Sequence, residues 1–163
     1  MSNVIPYESL RLDNQLCFAL YAATRAITRT YRERLEPIGL TYPQYLVLLV
    51  LWESNGATIS EIGDRLMLDS GTVSPVVKRL EAEGIVERKR CQKDEREVGV
   101  WLTRQGSDLR ESVKSARDYV VCKLSMSEAE LLVLRNELME LIERLNEEVY
   151  TEEEVYTEQE ARS

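Results

Sequence analysis

Residues 85–91 and 97–102 are two short β-prone runs placed directly after a helical segment that stops at Gly84, and the turn between them carries Asp94-Glu95-Arg96. Few folds accept a helix followed at once by a hairpin whose tip holds an acid and an arginine. The pattern is that of a winged helix, in which the helix occupies the major groove of duplex DNA and an arginine of the wing enters the minor groove. Trp101-Leu102-Thr103 then returns the chain to helix.

The segments upstream support this order. Residues 12–35 predict a helix, with Leu16, Leu20, Ala23 and Ile27 on one apolar stripe, closed by Pro37 and Gly39. Pro43 opens a second helix at a position where its missing N–H costs little, and the apolar run 45–52 predicts that this helix is buried. Thr58 and Glu61 form a capping box for a short helix ending near Leu66. Residues 69–72 start the next helix, which reaches Glu83 with Gly84 as its left-handed end, and Pro75 is expected in or near its first turn. Thr103 is expected to cap a long helix to Lys123. Ser125 or Ser127 restarts the chain, and Leu131, Leu134, Leu138, Leu141 and Leu145 repeat every 3.5 residues, as in helices that lie along other helices.

The expected fold is mainly α with a small β-hairpin wing: a winged helix-turn-helix at 41–103, an N-terminal dimerisation helix within 1–40, C-terminal dimerisation helices at 104–148 and an acidic tail at 149–163. Trp52 and Trp101 are expected in the core.

A net charge of −8 is unusual for a DNA binder, but residues 147–163 carry seven Glu and one Arg and account for −6 of it. The acidic tail is expected to be disordered and solvating. Arg88, Lys89, Arg90 and Lys93 place four cations within six residues, and local charge is what meets phosphate. A solvated hairpin face would show the same cluster. No run of apolar residues is long enough to predict a membrane span, and no secretory signal is visible, so cytosol is the expected compartment. Cys17, Cys91 and Cys122 form no CxxC pair and the chain has no His, which argues against zinc, other metal sites or a Ser-His or Cys-His catalytic centre. No cofactor is expected.

The element order together with Asp94-x-Arg96…Leu102-Thr103 resembles the MarR family of dimeric winged-helix regulators, over residues 12–147. Within that family, residues 69–75 and 78–81 resemble the recognition helix of the OhrR-type repressors, which sense organic hydroperoxides. The resemblance implies that Cys17 is the reactive cysteine, with Tyr31 and Tyr42 supporting it; Tyr21, on the same helix stripe, is a further supporting candidate. It also implies a two-cysteine branch, in which Cys17 becomes a sulfenic acid that Cys122 of the other subunit captures as a disulfide. Cys91 falls outside that pattern and reads as structural.

Helix geometry adds an independent constraint. Cys17, Tyr21, Thr24, Thr28 and Tyr31 share one stripe, yet Cys17 and Tyr31 are 14 positions apart, roughly 21 Å along a straight helix. Tyr31 can assist Cys17 only from a second copy running antiparallel, which points to a homodimer. For DNA, Ser70, Thr72, Ser74, Pro75, Lys78 and Arg79 fall where a recognition helix meets bases or phosphates. Arg65, Arg88, Lys89, Arg90 and Lys93 suit phosphates, and Arg96, oriented by Asp94, suits the minor groove. A symmetric dimer implies a pseudo-palindromic operator with half-sites about 10 bp, or a multiple, apart.

Two other readings remain open. A regulator of this type could instead be released by a non-covalent phenolic or lipophilic ligand, and a lone helical Cys is usually a small buried hydrophobe. A thiol peroxidase is disfavoured, because nothing in the chain binds a reductant.

Overall fold

The computed structural model describes residues 7–90 and 98–146. Its helices are α1 (Leu16–Leu35), α2 (Tyr42–Glu53), α3 (Ile59–Leu66), α4 (Ser70–Ala82), α5 (Arg104–Asp108), α6 (Arg110–Leu124) and α7 (Glu128–Asn146). One antiparallel hairpin, β1 (Val86–Arg90) with β2 (Val98–Leu102), pairs Val86 with Leu102 and Arg90 with Val98. The mainly helical fold with a hairpin wing is therefore as expected. Asp94, Arg96, Lys93 and Cys91, and the acidic tail, lie outside the described residues. The chain divides into two compact units, Met1–Lys123 and Leu124–Ser163.

In the first unit the core is built on α2. Its buried Tyr45, Val47, Leu48, Val50 and Leu51 meet Leu35 and Leu40 from one side, and Ile62, Val73, Val77 and Leu80 from α3 and α4. The three inward residues of α4 recur at +4 and +3, the spacing of a single helix face. Gly84 takes φ +72, which lets the chain reverse from α4 into β1. The segment before α3 lies along β2: Gly56 donates to the Val100 carbonyl and Val100 to the Ala57 carbonyl, both at 2.9 Å. The hairpin root is thus sewn to the helices on two sides. Trp52 and Trp101 are half-buried rather than fully in the core.

Local capping decides most of the boundaries. The backbone N–H of Thr58 donates to Glu61 Oε2 at 2.7 Å, and Glu61 N donates back to Thr58 Oγ1 at 3.2 Å. Replacing Thr58 with Ala is expected to cost about 1 kcal/mol and to lower Tm by about 2–4 °C, measured by thermal unfolding at fixed protein concentration. In the second unit the restart is at Ser127, whose Oγ and N–H both donate to Glu130 Oε2; Ser125 instead takes φ +52.

Three expectations need correction. The first helix starts at Leu16 rather than Leu12, because the amides of Asn14 and Gln15 bond the carbonyls of Glu8, Ser9 and Arg11 and hold 3-10 turns there. Pro75 is the sixth residue of α4, in its second turn, so the helix forgoes one backbone bond to Gly71 and continues. The single helix expected from Thr103 is divided at Leu109 into α5 and α6. No helix among the described residues is long and apolar enough to cross a membrane.

Candidate functional site

The DNA-facing candidates sit on α4 and the hairpin. Asp69 caps α4, its carboxylate accepting from Thr72 N at 2.8 Å and from Thr72 Oγ1 at 2.7 Å. Those two bonds hold its carboxyl below the usual carboxylate range. Thr72 thus spends its hydroxyl proton on the cap, which leaves it less suited to base reading than its position suggested. Ser70, Ser74, Pro75, Lys78 and Arg79 are all exposed, and Pro75 and Lys78 stand opposite the buried Val73, Val77 and Leu80. That is the surface a recognition helix offers.

The basic candidates divide into two groups. Arg65 pairs with Glu53 at 2.5 Å, Arg88 with Glu81 at 2.6 Å, and Lys89 with Glu87. These pairs are exposed, where an ion pair is worth roughly 0–1 kcal/mol, so exchanging a carboxylate for a phosphate costs little. The Arg88–Glu81 pair also ties the last turn of α4 to β1, and it lowers the Glu81 carboxyl. Lys78, Arg79 and Arg90 form no ion pair among the described residues.

The sensor candidates are brought together only in part. Tyr31 of α1 and Tyr42 of α2 meet with ring centroids 5.3 Å apart, and a third phenol completes the cluster. Tyr45 stacks on Tyr31 at 5.1 Å and lies 5.7 Å from Tyr42. Its hydroxyl donates to that of Tyr31 at 3.5 Å. Burial raises the phenol pKa of Tyr42 and, more strongly, of Tyr45, with the bond to Tyr31 as a second cause for Tyr45. Both are therefore neutral hydrogen-bond donors at physiological pH. Tyr45 escaped the sequence reading because it stands in an apolar run; its spacing of +3 from Tyr42 was the available signal.

Cys17 is exposed at the opposite end of α1, and Cys122 is exposed near the end of α6. Tyr21 is not in the phenol cluster; its hydroxyl accepts from Arg25 at 2.9 Å. Thr28 returns its hydroxyl to the Thr24 carbonyl at 2.8 Å. Nothing in the single chain encloses Cys17, and Leu16, Phe18 and Tyr21 beside it are 59%, 41% and 59% exposed. Tyr42 opens onto a groove of about 470 Å³ on α1, and Tyr45 onto a cavity of about 290 Å³ lined by Leu49, Trp52, Val113 and Arg117.

Residues 40–98 match the model of the MarR family. The organic hydroperoxide resistance transcriptional regulator of Bacillus subtilis (strain 168) is 40% identical over 141 residues, covering 86% of this chain and 96% of that protein. AbfR of Staphylococcus epidermidis, solved in its reduced form bound to DNA, is 39% identical with a TM-score of 0.69, over 85% of this chain and 96% of that one. A disulfide-formed AbfR structure matches at 41% identity and TM-score 0.60, over 83% of this chain and 95% of that one.

Proposed function

The chain belongs to the MarR family of DNA-binding transcriptional regulators, which are not enzymes, and from that premise we propose that it is a dimeric repressor switched by organic hydroperoxides. In this reading residues 41–103 bind the operator, while 1–40 and 104–148 build the dimer. The Cys17 thiolate attacks the peroxide, the O–O bond breaks, an alcohol leaves and sulfur becomes a sulfenic acid. The thiol of Cys122 in the second copy then displaces water to form the disulfide. Closing that bond needs Cα atoms about 5.5 Å apart, so the helices that carry the DNA-reading units shift and the half-sites lose register.

One observation carries the proposal: Tyr31 and Tyr42 form a phenol cluster at the end of α1 remote from the exposed Cys17. A thiol that ordinarily titrates near 8.5 needs donors to be a thiolate at neutral pH, and a second, antiparallel copy of α1 supplies them. The same pairing covers Leu16 and Phe18. A relative named for organic hydroperoxide resistance and another solved with a disulfide support this reading.

On DNA, Ser70, Ser74, Pro75, Lys78 and Arg79 read the major groove, and Arg65, Arg88, Lys89, Arg90 and Lys93 hold phosphates. Arg96, with Asp94, takes the minor groove. The test starts with the reduced protein, used to select its site from random duplexes; an inverted repeat is expected. Cumene hydroperoxide should then release that DNA and yield a covalent dimer on a non-reducing gel, both reversed by dithiothreitol. Retention of the DNA by fully oxidised protein would end the proposal.

The runner-up, release by a non-covalent phenolic or lipophilic ligand, draws on the cavity beside Tyr45 and Trp52. It predicts release by such a ligand with all thiols still reduced.

A further inference from the structure

Resting on the reading above, we infer that Tyr45 is a further positioning residue of the thiol site, acting on Cys17 through Tyr31. The three clustered phenols are not equivalent. Tyr45 donates its proton to the Tyr31 oxygen and holds the Tyr31 ring by stacking at 5.1 Å. The Tyr31 proton, in contrast, has no acceptor among the described residues. A hydroxyl that accepts one hydrogen bond is polarised into a stronger donor for the next. The chain Tyr45 to Tyr31 therefore has one free end, the Tyr31 hydroxyl proton, and the thiolate of a second copy is the acceptor it suits.

Tyr45 is built for this task. Its side chain is buried on α2, so ring and hydroxyl are held by packing. Burial keeps it protonated well above the range in which a thiol titrates, so it donates throughout. The charged and titratable groups facing it are Tyr31 from α1, Tyr42 and Glu53 from α2, and Arg110, Glu111, Lys114 and Arg117 from α6 across the cavity. Arg117 acts on the Tyr45 phenol in the opposite sense to burial, without cancelling it.

The experiment follows the rate of Cys17 oxidation by cumene hydroperoxide against pH, in the full chain carrying Cys122→Ser so that the first step is isolated. Tyr45→Phe keeps the ring and removes the donated bond. It is expected to slow oxidation at pH 7 by about threefold or more, with the loss recovered near pH 9 as the thiol ionises unaided. Affinity of the reduced protein for its operator should stay within about twofold. Adding Tyr45→Phe to Tyr31→Phe should produce no further loss, because the effect passes through the Tyr31 hydroxyl. A Tyr45→Phe profile superimposed on that of the unchanged protein, while Tyr31→Phe is slow, overturns this inference alone. If Tyr31→Phe also leaves the profile unmoved, the phenol-assisted thiol of the proposed function fails with it.

Discussion

A Cys17→Ser protein is expected to stay on its operator at a hydroperoxide concentration that strips the unmodified protein. Serine is nearly the size of cysteine, its hydroxyl does not react with peroxides, and position 17 is exposed in the first turn of α1. No core residue leans on it, so folding and the DNA affinity of the untreated protein should be unchanged within about twofold. The unmodified protein should lose at least about tenfold in affinity on oxidation, or about 1.4 kcal/mol. The Cys17→Ser protein should lose none. Cys122→Ser separates the two chemical steps, since it keeps a Cys17 that still forms the sulfenic acid but loses the covalent dimer and, with it, the helix shift that releases DNA. Fluorescence anisotropy of labelled operator, titrated with and without cumene hydroperoxide, reads the affinity, and non-reducing electrophoresis reads the bond. Equal release of Cys17→Ser and unmodified protein would sink the redox reading and leave the non-covalent ligand standing.

What was legible in the sequence is what is decided within a few residues. The Thr58–Glu61 box, the start of α4 within residues 69–72 and the left-handed Gly84 are local hydrogen-bond or backbone requirements, and each stands where the residues put it. The hairpin followed from two β-prone runs and was found at Val86–Arg90 and Val98–Leu102. Features decided at long range were not legible. Tyr45 looks like any member of an apolar run until α1 brings Tyr31 against it, and Arg65 looks free until Glu53, 12 residues earlier, is folded beside it. Pro75 shows the converse limit. Local rules put it in or near the first turn, but the packing of Val73, Val77 and Leu80 carries α4 through the missing bond. The Cys17 environment was illegible for another reason: the single chain leaves Cys17 exposed, and in the proposed dimer the rest of its surroundings comes from a second copy.

Gly106→Ala is expected to be the most damaging conservative change at the root of the hairpin. Gly106 is buried in α5, and a Cβ there would lie 2.2 Å from the Ile85 carbonyl oxygen and 3.1 Å from Leu102 Cδ2. The carbonyl is held in place because it accepts from Thr103 N at 3.1 Å, while Thr103 Oγ1, which donates to the Gly84 carbonyl at 2.7 Å and lies 3.0 Å from that of Ile85, accepts from Gly106 N at 3.2 Å. On its other side Gly106 offers its carbonyl to Trp52 Nε1 at 3.2 Å. The end of β2, the root of β1, α2 and α5 therefore converge on a residue with no room for a methyl group. The better helix propensity of Ala offsets about 1 kcal/mol at most, and separating the backbones costs more than that. A net loss of about 3 kcal/mol is expected, a large share of a typical total stability of 5–15 kcal/mol. At about 2–4 °C per kcal/mol, Tm should fall by roughly 10 °C, whereas exposed Ser107→Ala should move it far less. Because the displaced atoms link α4 to the hairpin, the folded fraction that remains should also bind operator more weakly than the unchanged protein. A Tm for Gly106→Ala within about 2 °C of the unchanged protein would mean that the Ile85 carbonyl yields easily, and that the hairpin is not held to α4 through this junction.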